Sequence, residues 1–327
     1  MPERIVDAHA HIYPQRYLEF IRDIVHNDST PWGRHASFLL DNRISTNPSM
    51  WDIDAHFDVM DRNGVQVQAL SLPIPQAYFE KESDAVEAAR LTNDHIAELC
   101  AKYPDRFKGM PCLPLPHVDA ALKELDRTIN DLGMHGVMLG ANARGIGLDD
   151  ERLRPLYREM NRLKVTVLLH PVTPPAYEET VDWDIATGAG FIYDGAVATL
   201  KLANSGVFEE NPDINLIVPH MGAFVLAAWD RIGGGGAGPM GSAGKRRETP
   251  KPIYEYLTRL YYDTVTPAQN LWGTALQTVG ASQIVFGTDY PFARGYEPMI
   301  ESIERQDLTD AEKDAIYFGT AERLLER

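Results

Sequence analysis

Residues 165–171, Val165-Thr166-Val167-Leu168-Leu169-His170-Pro171, run apolar and β-branched until a histidine and a proline end them. A run of this kind, without polar alternation, fits a strand covered on both faces, the usual condition in parallel sheets. Working outward, seven more short runs end in turn signals: 4–11, 65–72, 107–113, 134–139, 214–220, 260–265 and 284–289. Helical spacing of apolar residues fills most intervals, at 82–102, 117–131, 149–163, 191–206, 222–232, 267–279 and 308–325. Several of these segments open on acidic or capping residues, as at Asp149-Asp150. Parallel neighbours need long crossovers, and helices supply them. Eight strands alternating with helices therefore predict an α/β chain, a single (β/α)8 TIM barrel over residues 1–327 rather than an open doubly wound sheet.

Two stretches break the alternation. Residues 14–58, rich in aromatics, His and Pro, read as a lid-like excursion after the first strand, over the barrel mouth. Residues 233–252, GGGGAGPMGSAGKRRETPKP, are too rich in Gly and Pro to bury a face and read as a mobile loop.

Composition narrows the function. With 31 basic against 47 acidic residues the net charge is −16, which opposes a general nucleic-acid or anionic-membrane binder. No apolar run approaches the roughly 20 residues of a membrane helix. Met1-Pro2-Glu3-Arg4 runs straight into a strand without a secretory pattern, so a cytoplasmic location is expected. Cys100 and Cys112 lack zinc-site spacing and are too few for a disulfide framework, so they read as free thiols.

The chemistry gathers at strand ends. In Val6-Asp7-Ala8-His9-Ala10-His11 a period of two turns His9 and His11 to one face, where both imidazoles can meet one metal ion. His170 ends the fifth strand, His220 the sixth and Asp289 the eighth. Taken singly, His170 also suits a core histidine and Asp289, before Tyr290-Pro291, a turn residue. Together they fall at the C-terminal ends of strands one, five, six and eight, the end where such barrels hold their active sites. His56, His95, His117 and His135 have no such placement and read as structural or solvent-facing.

The sequence resembles the amidohydrolase superfamily, in the branch of aminocarboxymuconate semialdehyde decarboxylase and the hydroxybenzoate decarboxylases. The likeness spans the chain and rests on Val6-Asp7-Ala8-His9-Ala10-His11, Met60-Asp61-Arg62-Asn63-Gly64-Val65, His170-Pro171, Leu202-Ala203-Asn204-Ser205-Gly206-Val207-Phe208, His220-Met221-Gly222 and Gly287-Thr288-Asp289-Tyr290-Pro291-Phe292. It implies one divalent ion, most often Zn2+ and sometimes Mn2+, on His9, His11, His170 and Asp289, with His220 as acid or base. The fourth strand, Gly136-Val137-Met138-Leu139, lacks the lysine of two-metal relatives, so one metal is expected. Some hydroxybenzoate decarboxylases carry Glu where His9 stands and another Glu where Ala223 stands; this chain departs from them at both places.

The resemblance implies a metal-dependent non-oxidative decarboxylase of a small aromatic, ortho-hydroxybenzoate-like or conjugated unsaturated carboxylic acid, with His220 and Asp289 as the catalytic pair. The alternative is hydrolysis of a lactone, amide or C–C bond by metal-bound water, which needs the same residues. A catalytically dead barrel would have lost a ligand, and all five positions are intact. Arg43 is a candidate carboxylate clamp, and Trp183 and Phe292 are candidate walls for a flat ring. Arg231, eleven residues after His220, matches an arginine that in the semialdehyde decarboxylase reaches the neighbouring subunit's substrate. That match implies a homodimer or homotetramer.

Overall fold

A computed structural model of the chain describes residues 2, 4–232, 249–266, 269–293 and 295–326. All eight expected runs form strands: β1 Val6–His11, β2 Val67–Ser71, β3 Phe107–Met110, β4 Gly136–Gly140, β5 Thr166–His170, β6 Asn215–Val218, β7 Tyr261–Asp263 and β8 Ile284–Val285. The fold is α/β and every pairing among these strands is parallel, in the orders β1-β2-β3 and β8-β7-β6-β5-β4. Hydrogen bonds also pass between the two sheets. Met138 N–H donates to Pro111 O at 2.9 Å beside β3 and β4, and Ala8 N–H donates to Phe286 O at 2.9 Å beside β1 and β8.

The packing explains why residue 165 onward reads as uninterrupted hydrophobe. Leu168 joins an apolar cluster to which every strand contributes, through Ala8, Ala69, Met110, Met138, Leu168, Ile217, Tyr261 and Val285. Its neighbours Val167 and Leu169 belong instead to the larger cluster shared with the helices. Alternate residues are thus buried on opposite faces of one strand, as a two-residue period requires. In β1 the ladder slips between Asp7, opposite Gln68, and Ala10, opposite Leu70. The slip lets Ala8 join the inner cluster while His9, next along the chain, turns to the histidine cluster described below.

Three helices that the sequence reading did not resolve lie between β1 and β2: α1 Gln15–His26, α2 Pro31–Leu39 and α3 Ile53–Asn63, the last running past the expected bound at 58. Pro31 reads as a breaker, yet it occupies the first turn of α2, where its missing N–H costs nothing, and Thr30 caps the helix by accepting from Gly33 N–H. Glu297–Glu304 is a further helix absent from the sequence reading, and it too has proline, Pro298, in its first turn. Helix α4, Glu82–Lys102, has the expected bounds, whereas segment 308–325 divides into Asp310–Asp314, a π turn at Ala315–Gly319, and Thr320–Leu325. A small antiparallel hairpin, Asn142–Ala143 with Ile146–Gly147, follows β4. Of the expected mobile loop 233–252, residues 233–248 lie outside the described residues.

Helix α5, Phe191–Asn204, carries a buried carboxylate against the loop leaving β5. Asp194 accepts from Asn142 Nδ2 at 3.2 Å and from Val172 N–H at 3.3 Å. Burial outweighs these bonds and pushes its pKa up to about 7. A carboxyl whose folded pKa lies above its unfolded value binds its proton more tightly when folded, so its contribution to stability is complete below about pH 4 and is lost as pH rises toward 7. Urea unfolding should find Asp194→Asn gaining on the wild type by about 2–4 kcal/mol between pH 4 and pH 8. An equal difference at both pH values would contradict this account.

Candidate metal centre

Three imidazoles and one carboxylate meet at the C-terminal ends of the strands. The ligand atoms of His9, His11, His170 and Asp289 all lie within 4.8 Å of one another, and the three histidines are buried. The surroundings fix which nitrogen each ring turns inward. His9 Nδ1 donates to Asp263 Oδ2 at 2.6 Å, and His170 Nδ1 donates to Pro171 O at 2.7 Å. Ser71 Oγ spends its proton on Ala10 O at 3.1 Å and so accepts from His11 Nδ1 at 2.9 Å. Each Nε2 is left with a bare lone pair facing the others.

Such an arrangement calls for a cation. Nε2 of His9 stands 3.0 Å from Nε2 of His11, and Nε2 of His170 is buried without a hydrogen-bond partner among the described residues, 3.5 Å from Asp289 Oδ1. Lone pairs at that spacing repel unless positive charge lies among them, and three nitrogens with one carboxylate form the donor set of a divalent transition metal. The residues fit a single ion. Electrostatics agrees: burial holds His11 and His170 below the usual imidazole range, which keeps them neutral. Burial also opposes a charged His9, but the bond to Asp263 outweighs it and raises its pKa, making the ring a stronger donor. Burial would raise Asp289, yet the imidazoles of His11, His170, His220 and His9 gathered around it hold it well below the usual carboxylate range.

The backbone is strained where the chemistry sits. Asp289 has φ 60°, His220 φ 55° and Met221 φ 54°, left-handed conformations that cost a non-glycine residue roughly 1–2 kcal/mol each. Asp263 secures the second turn: its Oδ1 accepts from Met221 N–H at 3.1 Å while its Oδ2 holds His9. Asp7 secures the first. Its Oδ1 accepts from His9 N–H at 3.0 Å and Thr288 N–H at 3.2 Å, and its Oδ2 accepts from Thr288 Oγ1 and Tyr296 OH at 2.6 Å each. Gly287 makes room, because a Cβ there would lie 2.9 Å from His9 Cβ and 3.1 Å from Asp263 Cβ.

His220 stands at the edge of the cluster, its Nε2 3.9 Å from Asp289 Oδ2 and its side chain 15% exposed. Phe292 presents its ring edge-on to His11, with centroids 6.0 Å apart. Trp183 faces outward, 91% exposed, and Arg43 and Arg231 are exposed too; among the described residues no hydrogen bond, ion pair or ring contact ties these three to the histidines. His56 binds Gln68 Oε1 and Ser49 O, His117 binds Phe79 O, and neither joins the cluster, nor do His95 and His135. Sequence reasoning missed Asp263, Asp7 and Ser71. Asp263 carries the same strand-end signal as His170 and was available from Tyr261-Tyr262-Asp263. Among the described residues no helix is long and apolar enough to cross a membrane.

Residues 6–327 match the family model described as amidohydrolase. A 2-amino-3-carboxymuconate-6-semialdehyde decarboxylase of Dictyostelium discoideum is 26% identical over 98% of this chain and 91% of its own length. A gamma-resorcylate decarboxylase of Rhizobium sp. is 34% identical over 73% of this chain and 76% of its own length. Among solved structures, a dihydroxybenzoic acid decarboxylase of Polaromonas sp. with bound manganese and the inhibitor 2-nitroresorcinol superposes with a TM-score of 0.81. It is 25% identical and covers 99% of this chain and 97% of that one.

Elemental analysis should find about one divalent ion per chain, since the donor set is complete for one. His170→Ala should lower occupancy and His95→Ala should not; equal effects would disprove the assignment of the strand-end ligands. In Asp263→Asn the amide oxygen can still hold Met221 N–H, but the amide NH2 forces the His9 proton onto Nε2. Metal affinity should then fall roughly 10- to 100-fold with the fold retained, and unchanged affinity by calorimetry would refute the role given to Asp263.

Proposed function

The chain belongs to the amidohydrolase family, and from that membership we propose that it is a metal-dependent carboxy-lyase removing CO2 from a small hydroxylated aromatic or conjugated unsaturated carboxylic acid. The observation that carries the reading is the intact four-ligand cluster with His220 alone at its edge, in a chain whose relatives include decarboxylases of such acids. We read the eight strands as one closed (β/α)8 barrel and one domain, with residues 14–58 folded over its mouth. The ion is Zn2+ or Mn2+; three imidazoles suit the first, and a related structure holds the second.

A divalent ion on these residues supplies the positive charge that orients the substrate carboxylate and stabilises negative charge on its oxygens. The protein does the rest. Asp289, held ionised by the surrounding imidazoles, keeps the ligand set in place and leaves proton delivery to His220. His220 gives its proton to the carbon that bears the carboxylate. The C–C bond then breaks, its electrons return to the conjugated system and CO2 departs, so one proton is consumed for each CO2 released. The strained turn at His220, pinned through Met221 to Asp263, keeps the imidazole directed without a search through rotamers. Phe292, beside His11, walls one side of the flat ring, and Arg43 and Trp183 act from the excursion and its facing loop if these segments close over a substrate.

Arg231 lies, exposed, on the short helix α6, Trp229–Ile232, whose Trp229 and Ile232 pack against the core. We assign it to the substrate carboxylate of a neighbouring subunit in a homodimer or homotetramer. Exposed Tyr193 and Phe224, packed edge to face with centroids 6.0 Å apart, supply apolar surface for that association.

Metal-loaded protein should release CO2 from at least one ortho-hydroxybenzoate or unsaturated acid, and His220→Ala should bind metal normally yet lose at least about 100-fold in kcat. Cleavage of lactones or amides without CO2 release would replace this reading by a hydrolase. Arg231→Ala should keep its metal and lose roughly 30- to 1000-fold in kcat/KM. Mixing it with His220→Ala should restore activity in exchanged dimers, which hold one site with both residues intact. No recovery despite proven exchange would place Arg231 outside a shared site.

A further inference from the structure

Gln76 follows β2 in a loop that is held with unusual firmness. Tyr13 OH donates to Ile74 O at 2.5 Å, Tyr17 OH donates to Pro75 O at 2.6 Å, and Tyr78 N–H donates to Gln76 O at 2.7 Å. Three successive carbonyls are thus pinned, two of them by the buried phenols of Tyr13 and Tyr17. The side chain they present is 1% exposed. Among the described residues its Nε2 meets only Met138 Sδ, 2.9 Å away and a weak acceptor, and its Oε1 has no hydrogen-bond partner. Turning the amide over would exchange the two ends and still leave one unmet.

The location gives this unmet group a use. Met138 belongs to the inner cluster shared by all eight strands, and its partner across the ladder is Leu168, two residues before His170. Gln76 therefore reaches the layer just beneath the ligand histidines. His170 Nε2, in the next layer, is likewise buried and unpaired, as a group awaiting a bound species is. A buried amide left unpaired lowers stability, and a loop anchored at three points to hold one is the pattern of a preorganised binding group.

Resting on the carboxy-lyase reading, we infer that Gln76 is a specificity-determining residue whose Oε1 accepts a hydrogen bond from a ring hydroxyl or amino group that the substrate carries besides its carboxylate. A carbonyl oxygen repels a carboxylate and accepts from an O–H or N–H donor, so the acids preferred are those with such a donor. A site that buries an acceptor discriminates against the analogue lacking the donor, because binding that analogue leaves the acceptor unpaired.

The test measures binding by calorimetry to Mn2+-loaded protein in the His220→Ala background, so that acids bind without being consumed. The probes are 2-hydroxybenzoate and the 2,3-, 2,4-, 2,5- and 2,6-dihydroxybenzoates. At least one dihydroxy isomer should bind roughly ten- to hundredfold more tightly than 2-hydroxybenzoate. Gln76→Met, similar in shape and without the amide, should erase that advantage while metal occupancy holds and Tm stays level or rises. An advantage that survives in Gln76→Met would overturn the assignment, as would a joint fall in Tm and metal content, which marks a structural role. Binding of 2-hydroxybenzoate with no isomer preferred removes Gln76 alone, whereas binding of none of the acids removes the carboxy-lyase reading as well.

Discussion

One buried carboxylate ties the site together. Asp263, at the end of β7, holds the imidazole of His9 with one oxygen and the backbone of Met221 with the other. The first bond sets which nitrogen of His9 faces the cluster. The second keeps the turn that carries His220 in a conformation it would not otherwise adopt. A metal ligand and the proposed proton donor are therefore positioned by the same group, and neither can shift without the other. Asp7 repeats the device on the opposite side of His9, bonding the β1 backbone to the turn that presents Asp289. Two acids, both fully buried, substitute for the main-chain regularity that both turns give up.

This explains how a site can be held against strain. Left-handed backbone at Asp289 and His220 costs free energy, and so does clustering three buried imidazoles whose Nε2 atoms converge. The parallel scaffold absorbs these costs through its apolar layers, with Ala8 and Leu168 below the ligand layer and the helix Thr320–Leu325 contributing Ala321 and Leu324 to the same cluster. A bound cation would remove the repulsion that remains. On this view metal binding completes the structure, and the chemistry of the site follows from how firmly its histidines are oriented.

Much of this was legible in the sequence because burial on both faces leaves a coarse signature. Runs such as 165–170 announce a parallel strand, and polar residues at their C-terminal ends announce the ligands. The helices Pro31–Leu39 and Glu297–Glu304 went unread, and each has proline in its first turn, where it looks the same in sequence as proline that breaks a helix. Asp7 escaped because a positioning carboxylate and any other strand aspartate differ only in three-dimensional partners, whereas the strand-end signal of Asp263 was present and went unread. The ladder slip in β1 was equally invisible: the spacing of His9 and His11 predicts a shared face whether or not the strand is regular before them. Arg43, Trp183 and Arg231 rest on chemistry and likeness, and all three side chains are exposed.

The most direct measurement is an anomalous-scattering map from crystals of the Mn2+-loaded protein. The account predicts one strong peak per chain, bound by Nε2 of His9, His11 and His170 and by the carboxylate of Asp289, with His220 beside it and unbound. A second peak in the cluster, a peak elsewhere, or an ion bound through Nδ1 of any of the three histidines would contradict it.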